Sequence, residues 1–155
     1  MGSIRQFRGT IAPNADAVPG GSPYKRVLIY DDDEIYAEEC AEALQRLGFV
    51  TETRSGRAGF LPLVAAFAPD LLLLDLHMPE FDGVEALRAL RDYEAKQNLA
   101  VILASASGDV MLSSAISIAR AYGINLLGAL AKPIRLADVT ALIAGSRAVD
   151  KTSQN

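Results

Sequence analysis

Acidic residues follow two apolar segments at the points where those segments end. The run Asp31–Glu34 comes directly after Val27–Tyr30, and Asp75 comes directly after Leu71–Leu74. Carboxylates gathered in one buried place repel one another and lose their hydration, so a cation is needed to hold them together. Oxygen ligands of this kind suit Mg²⁺. The pattern therefore predicts a single carboxylate site that binds magnesium.

These acidic ends belong to a regular alternation of short apolar runs with segments of helical length. The runs predict five strands, at 27–30, 50–53, 71–74, 101–104 and 126–131. Nearly continuous apolar strands that alternate with helices are typical of a parallel sheet with helices on both faces. The predicted fold is therefore a doubly wound α/β domain.

This topology brings further polar residues to the acidic site. In doubly wound sheets, ligands bind beyond the carboxyl ends of the strands. Ser105 follows the fourth predicted strand, and Lys132 follows the fifth. We therefore expect both to lie at the same edge of the sheet as Asp31, Asp32 and Asp75.

Five helices are predicted between and after the strands. The first begins near Asp33 as its N-cap and ends at Gly48, a residue suited to the left-handed backbone beyond a helix end. The second lies within 57–67, where Pro62 fits only near the first turn. The other three are predicted from Gly83 or Val84 to Lys96, from after Gly108-Asp109 to Gly123, and from Leu136 or Ala137 to about Gly145.

The length and composition limit the functions that the chain can have. It has 155 residues, 50% of them hydrophobic, which is enough for one domain with its own core. The predicted organisation is a flexible leader at 1–24, a domain at 25–146 and a flexible tail at 147–155. A net charge of −4 argues against nucleic-acid binding by this chain. No apolar run approaches the roughly 20 residues of a membrane span.

Cys40 is the only cysteine in the sequence. An intrachain disulfide is therefore excluded, and a reducing cytoplasm is the expected location. The spacing of Cys40 with Tyr36, Leu44 and Leu47 places it on the buried face of the first predicted helix. This position favours a structural role in the core over a reactive thiol.

Four sequence blocks in a fixed order resemble the receiver domains of two-component response regulators. The resemblance covers Lys25–Ser146. The blocks are the acidic run after the first strand, the stretch 73–83 that holds Asp75, Met78-Pro79 and Asp82-Gly83, the pair Ser105-Ala106, and the pair Lys132-Pro133. The resemblance implies a flavodoxin-like fold of five helices and five parallel strands in the order 2-1-3-4-5.

The resemblance also implies a role for each residue at the strand ends. Asp75 would be the phosphoacceptor and would form an acyl phosphate. Lys132 would contact the phosphoryl group through its ammonium, and Ser105 through its hydroxyl. The implied ligands of Mg²⁺ are Asp31, Asp32, Asp75 and the backbone carbonyl of His77, whereas Asp33 and Glu34 serve the start of the first helix.

The implied function is that of a signalling switch rather than an enzyme, although the domain would assist its own phosphorylation and dephosphorylation. Phosphate would come from a sensor histidine kinase or a phosphotransfer protein, and an output domain or partner would respond. Residues 107–134 most resemble receivers fused to EAL-type cyclic-di-GMP phosphodiesterase domains. The chain is expected either to act alone or to be part of a longer protein.

Local features refine these expectations. Receivers of this pattern tend to hold the bond before the proline in cis, so a cis Lys132-Pro133 peptide is predicted. Receivers often have an aromatic residue three positions before the lysine, where this chain has Ala129. Ser105 and Lys132 are 27 positions apart, which predicts a longer fourth helix or a longer loop after it. His77 is expected to be partly exposed, with its carbonyl mattering more than its ring.

Two other interpretations stay open. Asp31 and Asp33 have the spacing of dehalogenase-type phosphohydrolases, in which the first aspartate attacks and the second acts as acid and base. That interpretation leaves the segment around Asp75 unexplained. The other is a pseudo-receiver that binds a partner without being phosphorylated, and Ala129 keeps it open.

Overall fold

The computed structural model describes residues 24–106 and 110–153, with side chains described as far as Ser146. Five parallel strands form one sheet in the order β2-β1-β3-β4-β5. The strands are β1 Arg26–Tyr30, β2 Val50–Arg54, β3 Leu71–Asp75, β4 Ala100–Ser105 and β5 Asn125–Ala131. Both the predicted doubly wound α/β class and the predicted strand order are confirmed.

Helices cover both faces of this sheet. They are α1 Glu34–Arg46, α2 Phe60–Phe67, α3 Gly83–Leu90, α4 Met111–Ala121 and α5 Leu136–Ser153, and a short 3-10 helix covers Lys96–Asn98. Five helices were predicted, and five α-helices are present in the described residues. No helix in this part of the chain is long and apolar enough to cross a membrane.

The core has two halves because successive side chains of a strand point to opposite faces of the sheet. Val27, Ile29 and Leu73 pack beneath α1 and α5, whereas Leu28 and Leu72 pack beneath α2, α3 and α4. All five residues of β3 are buried, as expected for a central strand covered on both sides. This arrangement leaves the strand ends as the place where polar groups gather.

The first helix begins and ends as its sequence predicts. The Asp33 side chain accepts a hydrogen bond from the Tyr36 backbone N–H and so caps α1. Gly48 follows the helix with a φ of +99°, a conformation that glycine adopts without strain. Cys40 is buried in this helix, and burial raises the pKa of its thiol to about 12. A core role for Cys40 agrees with both observations.

The third helix is shorter than predicted. It ends at Leu90 rather than at Lys96 because the chain tightens into bonds between residues three apart, from Arg91 N–H to Arg88 and from Tyr93 N–H to Leu90. The side chain of Lys96 then donates to the backbone carbonyl of Tyr122 at 2.9 Å. The segment after α3 is therefore a series of turns tied to the end of α4.

The last helix is longer than predicted. It was expected to end at about Gly145, but α5 continues to Ser153 and so covers much of the segment predicted as a tail. A glycine inside a helix costs only about 1 kcal/mol relative to alanine, and no proline follows to stop the helix. Tyr24, predicted as the last leader residue, is buried, and its hydroxyl bonds to the Ser146 hydroxyl at 2.9 Å. Residues 1–23 and 154–155 lie outside the described residues.

Strand β5 contains a bulge opposite β4. Val101 pairs with Leu126 but Ile102 pairs with Gly128, so the strand contains one additional residue, Leu127. The added length predicted for the fourth helix or for the loop after it stays a prediction. Gly108-Asp109, predicted to precede that helix, lie outside the described residues. The helix was predicted to end at Gly123; it ends at Ala121, and Gly123 follows the C-cap residue Tyr122 with a φ of +68°.

Candidate functional site

The carboxyl ends of four strands bring the predicted site residues to one edge of the sheet. Asp31 directly follows β1, Asp75 is the last residue of β3, and Ser105 is the last residue of β4. Lys132 directly follows β5, and its backbone N–H donates to the Ser105 carbonyl at 2.8 Å. Ser105 is paired with Ala131 in the sheet register. Backbone pairing of the strands therefore places the Cα atoms of these residues at one edge of the sheet.

Three carboxylates form the acidic part of the site. Asp31 and Asp75 are 4% and 3% exposed, whereas Asp32 is exposed. Oxygen atoms of the three lie within 4.8 Å of one another. Negative charges held this close together repel one another and raise the free energy of the folded protein unless a cation binds between them. Carboxylate oxygens are the ligands that Mg²⁺ prefers. The donor set therefore fits a hard divalent cation.

Lys132 supplies a positive charge next to these carboxylates. Its Nζ lies 2.5 Å from Asp31 Oδ2 and 3.2 Å from Asp75 Oδ2. The same atom lies 4.9 Å from the centre of the Tyr36 ring. Among the described residues, the ammonium therefore has two anionic neighbours and one aromatic neighbour.

The protonation of Asp75 reflects this crowding. Burial and the nearby charge of Asp31 raise the pKa of Asp75 to about 6, and the His77 N–H and Lys132 only partly offset them. Burial by itself would lower the pKa of Lys132, but the hydrogen bonds and charges of Asp31 and Asp75 outweigh it and raise the pKa above its ordinary value. Lys132 therefore keeps its positive charge at neutral pH.

The other two acidic residues of the run serve α1. The Asp33 N–H donates to Asp31 Oδ1 at 3.0 Å, which orients the Asp31 carboxylate, while the Asp33 side chain caps the helix. Glu34 lies in the first helical turn, where a negative charge is favourable. The division of Asp31–Glu34 into site residues and helix-start residues agrees with this placement.

The loop after β3 is built closely around Asp75. The His77 N–H donates to Asp75 Oδ1 at 3.1 Å, while the His77 side chain is exposed. Asp82 and Glu85 form a capping box at the start of α3. Gly83 lies so close to the loop that an added Cβ would come within 2.6 Å of Leu76 Cδ2. The absence of a side chain at Gly83 therefore allows the start of α3 to approach the loop after β3.

The turn after β5 contains a cis Lys132-Pro133 peptide bond, as predicted. Ala129 packs against the core half beneath α4 and is partly exposed. It lies opposite Leu103 in the sheet. The position expected to hold an aromatic side chain is therefore occupied by a methyl group.

Sequence reasoning missed the contribution of Tyr36 to this site. Its helical spacing identified it only as a residue of the buried face of α1. The structure also places the Tyr36 hydroxyl at 3.1 Å from the Ile134 backbone nitrogen, which donates to it. No local signal reveals these contacts because they depend on how α1 packs beside the turn after β5.

Comparison with known proteins identifies the family. Residues 27–144 match the family model of the response regulator receiver domain. The chain is 35% identical over 85 residues to the regulatory protein AtoC of Escherichia coli K12, a match that covers 55% of this chain and 18% of AtoC. It is 36% identical over 66 residues to the response regulator MprA of Mycobacterium ulcerans, covering 43% of this chain and 28% of MprA.

The matched segment is thus less than a third of either relative's length. Among solved structures, a response regulator receiver domain protein from Clostridium thermocellum superposes with a TM-score of 0.67 at 22% identity, covering 83% of this chain and 98% of that one. This likeness supports the fold, and the family model covers most of the chain. The chain therefore belongs to the response regulator receiver domain family.

Proposed function

We propose that this domain accepts a phosphoryl group on Asp75 in a Mg²⁺-dependent reaction and thereby acts as a signalling switch. The observation that carries the proposal is the position of Asp75. Its carboxylate is buried at the end of the central strand, lies near two further carboxylates, and has the Lys132 ammonium at 3.2 Å. A nucleophilic carboxylate held by fixed charges is what phosphoryl transfer requires of a protein.

The reaction forms one bond and breaks one. An Asp75 carboxylate oxygen attacks the phosphorus of the donor, and a new O–P bond forms. The bond from phosphorus to the donor's leaving group breaks, and its electron pair departs with that group. Lys132 then has a phosphoryl oxygen within reach as a new partner, since its charged end is already beside Asp75.

The acidic cluster has the composition needed to hold Mg²⁺. Asp31, Asp32 and Asp75 would supply carboxylate oxygens, and the His77 backbone carbonyl would complete the protein ligands. When bound, Mg²⁺ offsets the negative charge of the carboxylates and of the incoming phosphoryl group. Ser105, buried at the end of the neighbouring strand, would donate its hydroxyl to a phosphoryl oxygen.

The position of Asp33 argues against the dehalogenase-type alternative. That reaction needs the second aspartate of the pair as an acid and base, but the Asp33 carboxylate caps α1 by accepting the Tyr36 N–H at 3.0 Å. The first aspartate, Asp31, is engaged by Lys132. Phosphorylation on Asp75 is compatible with both contacts, since it requires neither Asp31 nor Asp33 to act as nucleophile or acid. It is therefore the function that we favour.

The proposal is tested by incubating the protein with Mg²⁺ and a small acyl-phosphate donor. We expect intact-mass measurement to show one added phosphoryl group in the natural protein and none in Asp75→Asn. Asp92→Asn is the matched control because Asp92 is 78% exposed and pairs with Arg91 rather than with the site. Labelling that persists in Asp75→Asn would overturn the assignment, and absence of labelling in the natural protein would favour the pseudo-receiver alternative.

We also propose partners and a location for this domain. A sensor histidine kinase or a phosphotransfer protein would donate the phosphoryl group, and an output domain or effector would respond to it. The EAL-type phosphodiesterase output rests on the resemblance of residues 107–134 alone. A cytoplasmic location is consistent with the single buried cysteine.

A further inference from the structure

Tyr36 lies between α1 and the turn after β5, where it touches the cation of the site. Its side chain is 7% exposed, and the centre of its ring is 4.9 Å from Lys132 Nζ. An ammonium within about 6 Å of an aromatic ring is attracted by the negative face of the ring. The attraction is larger in a buried place because water does not compete for the ammonium.

The ring is held in place at its far end. The Ile134 backbone N–H donates to the Tyr36 hydroxyl at 3.1 Å, and this bond is buried. The ring packs in the same core cluster as Cys40, Ile134 and Leu136. Burial raises the pKa of Tyr36, so the hydroxyl keeps its proton. Tyr36 therefore contacts both the charged end of Lys132 and the backbone two residues after it.

Lys132 needs such a contact because its side chain is flexible. The side chain has four rotatable bonds and is 26% exposed, and both of its charged partners lie among the proposed metal ligands. When those carboxylates bind a cation or become phosphorylated, their attraction for Lys132 changes. The aromatic ring is neutral, so its attraction for the ammonium persists through each of these states.

We propose that Tyr36 is a positioning residue that holds the Lys132 ammonium at the phosphoacceptor site while its carboxylate partners change. The ring supplies the contact with the cation, and the hydroxyl fixes the ring against the Ile134 amide. This inference rests on the proposed function, because the task of Lys132 is to meet the phosphoryl group on Asp75.

Two substitutions separate the ring from the hydroxyl. Tyr36→Phe keeps the ring and removes the hydrogen bond, so the rate of labelling by an acyl-phosphate donor is expected to stay within about twofold of the natural rate. Tyr36→Leu removes both contacts and is expected to lower the rate about fivefold to tenfold. Tyr24→Leu is the matched control, because it removes another buried tyrosine, one whose hydroxyl bonds to the Ser146 hydroxyl, and its rate should stay within about twofold.

A spectroscopic readout distinguishes positioning from general destabilisation. The ring current of Tyr36 should shift the NMR signals of the Lys132 side chain, which are assigned by their loss in Lys132→Gln. The shift should persist in Tyr36→Phe, vanish in Tyr36→Leu and be unchanged in Tyr24→Leu. In the natural protein, an NOE should join the Lys132 side chain to the Tyr36 ring.

The outcomes test this inference separately from the proposed function. A natural rate and unshifted Lys132 signals in folded Tyr36→Leu would overturn the role of Tyr36 while leaving phosphorylation of Asp75 intact. If Tyr36→Leu fails to fold, absence of the NOE in the natural protein overturns the role in the same way. Absence of labelling in the natural protein would instead overturn the proposed function.

Discussion

Within the part of the site that the structure describes, the shortest charged contact joins Lys132 to Asp31 rather than to Asp75. Lys132 Nζ is 2.5 Å from Asp31 Oδ2 and 3.2 Å from Asp75 Oδ2. Asp31 is also a proposed ligand of Mg²⁺, so the ammonium and the metal ion compete for the same carboxylate. In the proposed function, Lys132 would therefore oppose Mg²⁺ binding even though it would stabilise the phosphorylated state.

This competition predicts that Lys132→Gln binds Mg²⁺ more tightly than the natural protein. Removing a positive charge from beside the carboxylates should lower the dissociation constant about threefold to tenfold, which corresponds to roughly 1 kcal/mol. Isothermal titration calorimetry measures the change. Lys96→Gln is the control, because Lys96 bonds to backbone carbonyls away from the site. Weaker Mg²⁺ binding by Lys132→Gln would contradict the competition.

The sequence predicts the charged residues of the site better than the neutral ones. Asp31, Asp75 and Lys132 stand out because a charge directly after an apolar strand is unusual and because parallel strands end at a common edge. Tyr36 does not stand out, because an aromatic residue on the buried face of a helix is ordinary core. Its contact with Lys132 depends on packing between elements that are distant in sequence.

At the scale of elements, strands were predicted more closely than helix ends. Apolar runs such as Leu71–Leu74 are bounded by polar residues, and the observed strand extends by one residue to Asp75. The sequence has no strong stop signal where α3 ends at Leu90, and Gly145 proved not to stop α5. Both helix ends were therefore misplaced by pattern alone. The bulge in β5 was also missed, because register depends on the neighbouring strand.

The start of α3 offers a sharp test of how the loop after β3 is packed. An added Cβ at Gly83 would lie 2.9 Å from Leu76 Cα and 3.0 Å from the Asp75 carbonyl oxygen, both of them backbone atoms. Gly83→Ala should therefore lower the free energy of unfolding by about 1–3 kcal/mol and slow labelling of Asp75, since the loop must move. Denaturant unfolding and the labelling assay measure the two effects.

Gly145→Ala is the matched control, and the opposite sign is expected for it. Gly145 lies inside α5, and nothing comes within 4 Å of an added Cβ. Alanine should raise the free energy of unfolding by up to about 1 kcal/mol, because it favours the helix and restricts the unfolded chain. Unchanged stability in Gly83→Ala would contradict the close approach of α3 to the loop.

At the scale of the whole molecule, the buried charges of the site lower the stability of the fold that positions them. Two core halves, one on each face of the sheet, supply the hydrophobic stabilisation. The strand ends between them gather carboxylates in a buried place, at a cost in free energy. A domain that binds a cation and a phosphoryl group there should therefore be more stable with those ligands than without them.

The pH dependence of stability makes this cost measurable. The pKa of Asp75 is raised to about 6 in the folded protein from an ordinary value of 3.8, so the folded state holds this proton more tightly than the unfolded chain does. As the pH rises from about 4 to about 6, ionisation of Asp75 increasingly destabilises the fold, and the full cost is present above that range. Asp75→Asn removes the cost, so without Mg²⁺ it should gain stability over the natural protein as the pH rises, by up to about 3 kcal/mol at pH 7.

Denaturant unfolding of both proteins at several pH values measures this gain. Mg²⁺ added at pH 7 should narrow the difference, because it stabilises the natural protein by binding the ionised cluster. Asp92→Asn, whose side chain is 78% exposed, should follow the natural protein throughout. If the two proteins differed in stability by the same amount at pH 4 and pH 7, ionisation of Asp75 would have no free-energy cost in the folded state. The crowding of Asp31 and Asp75 would then leave no such cost for Mg²⁺ to relieve.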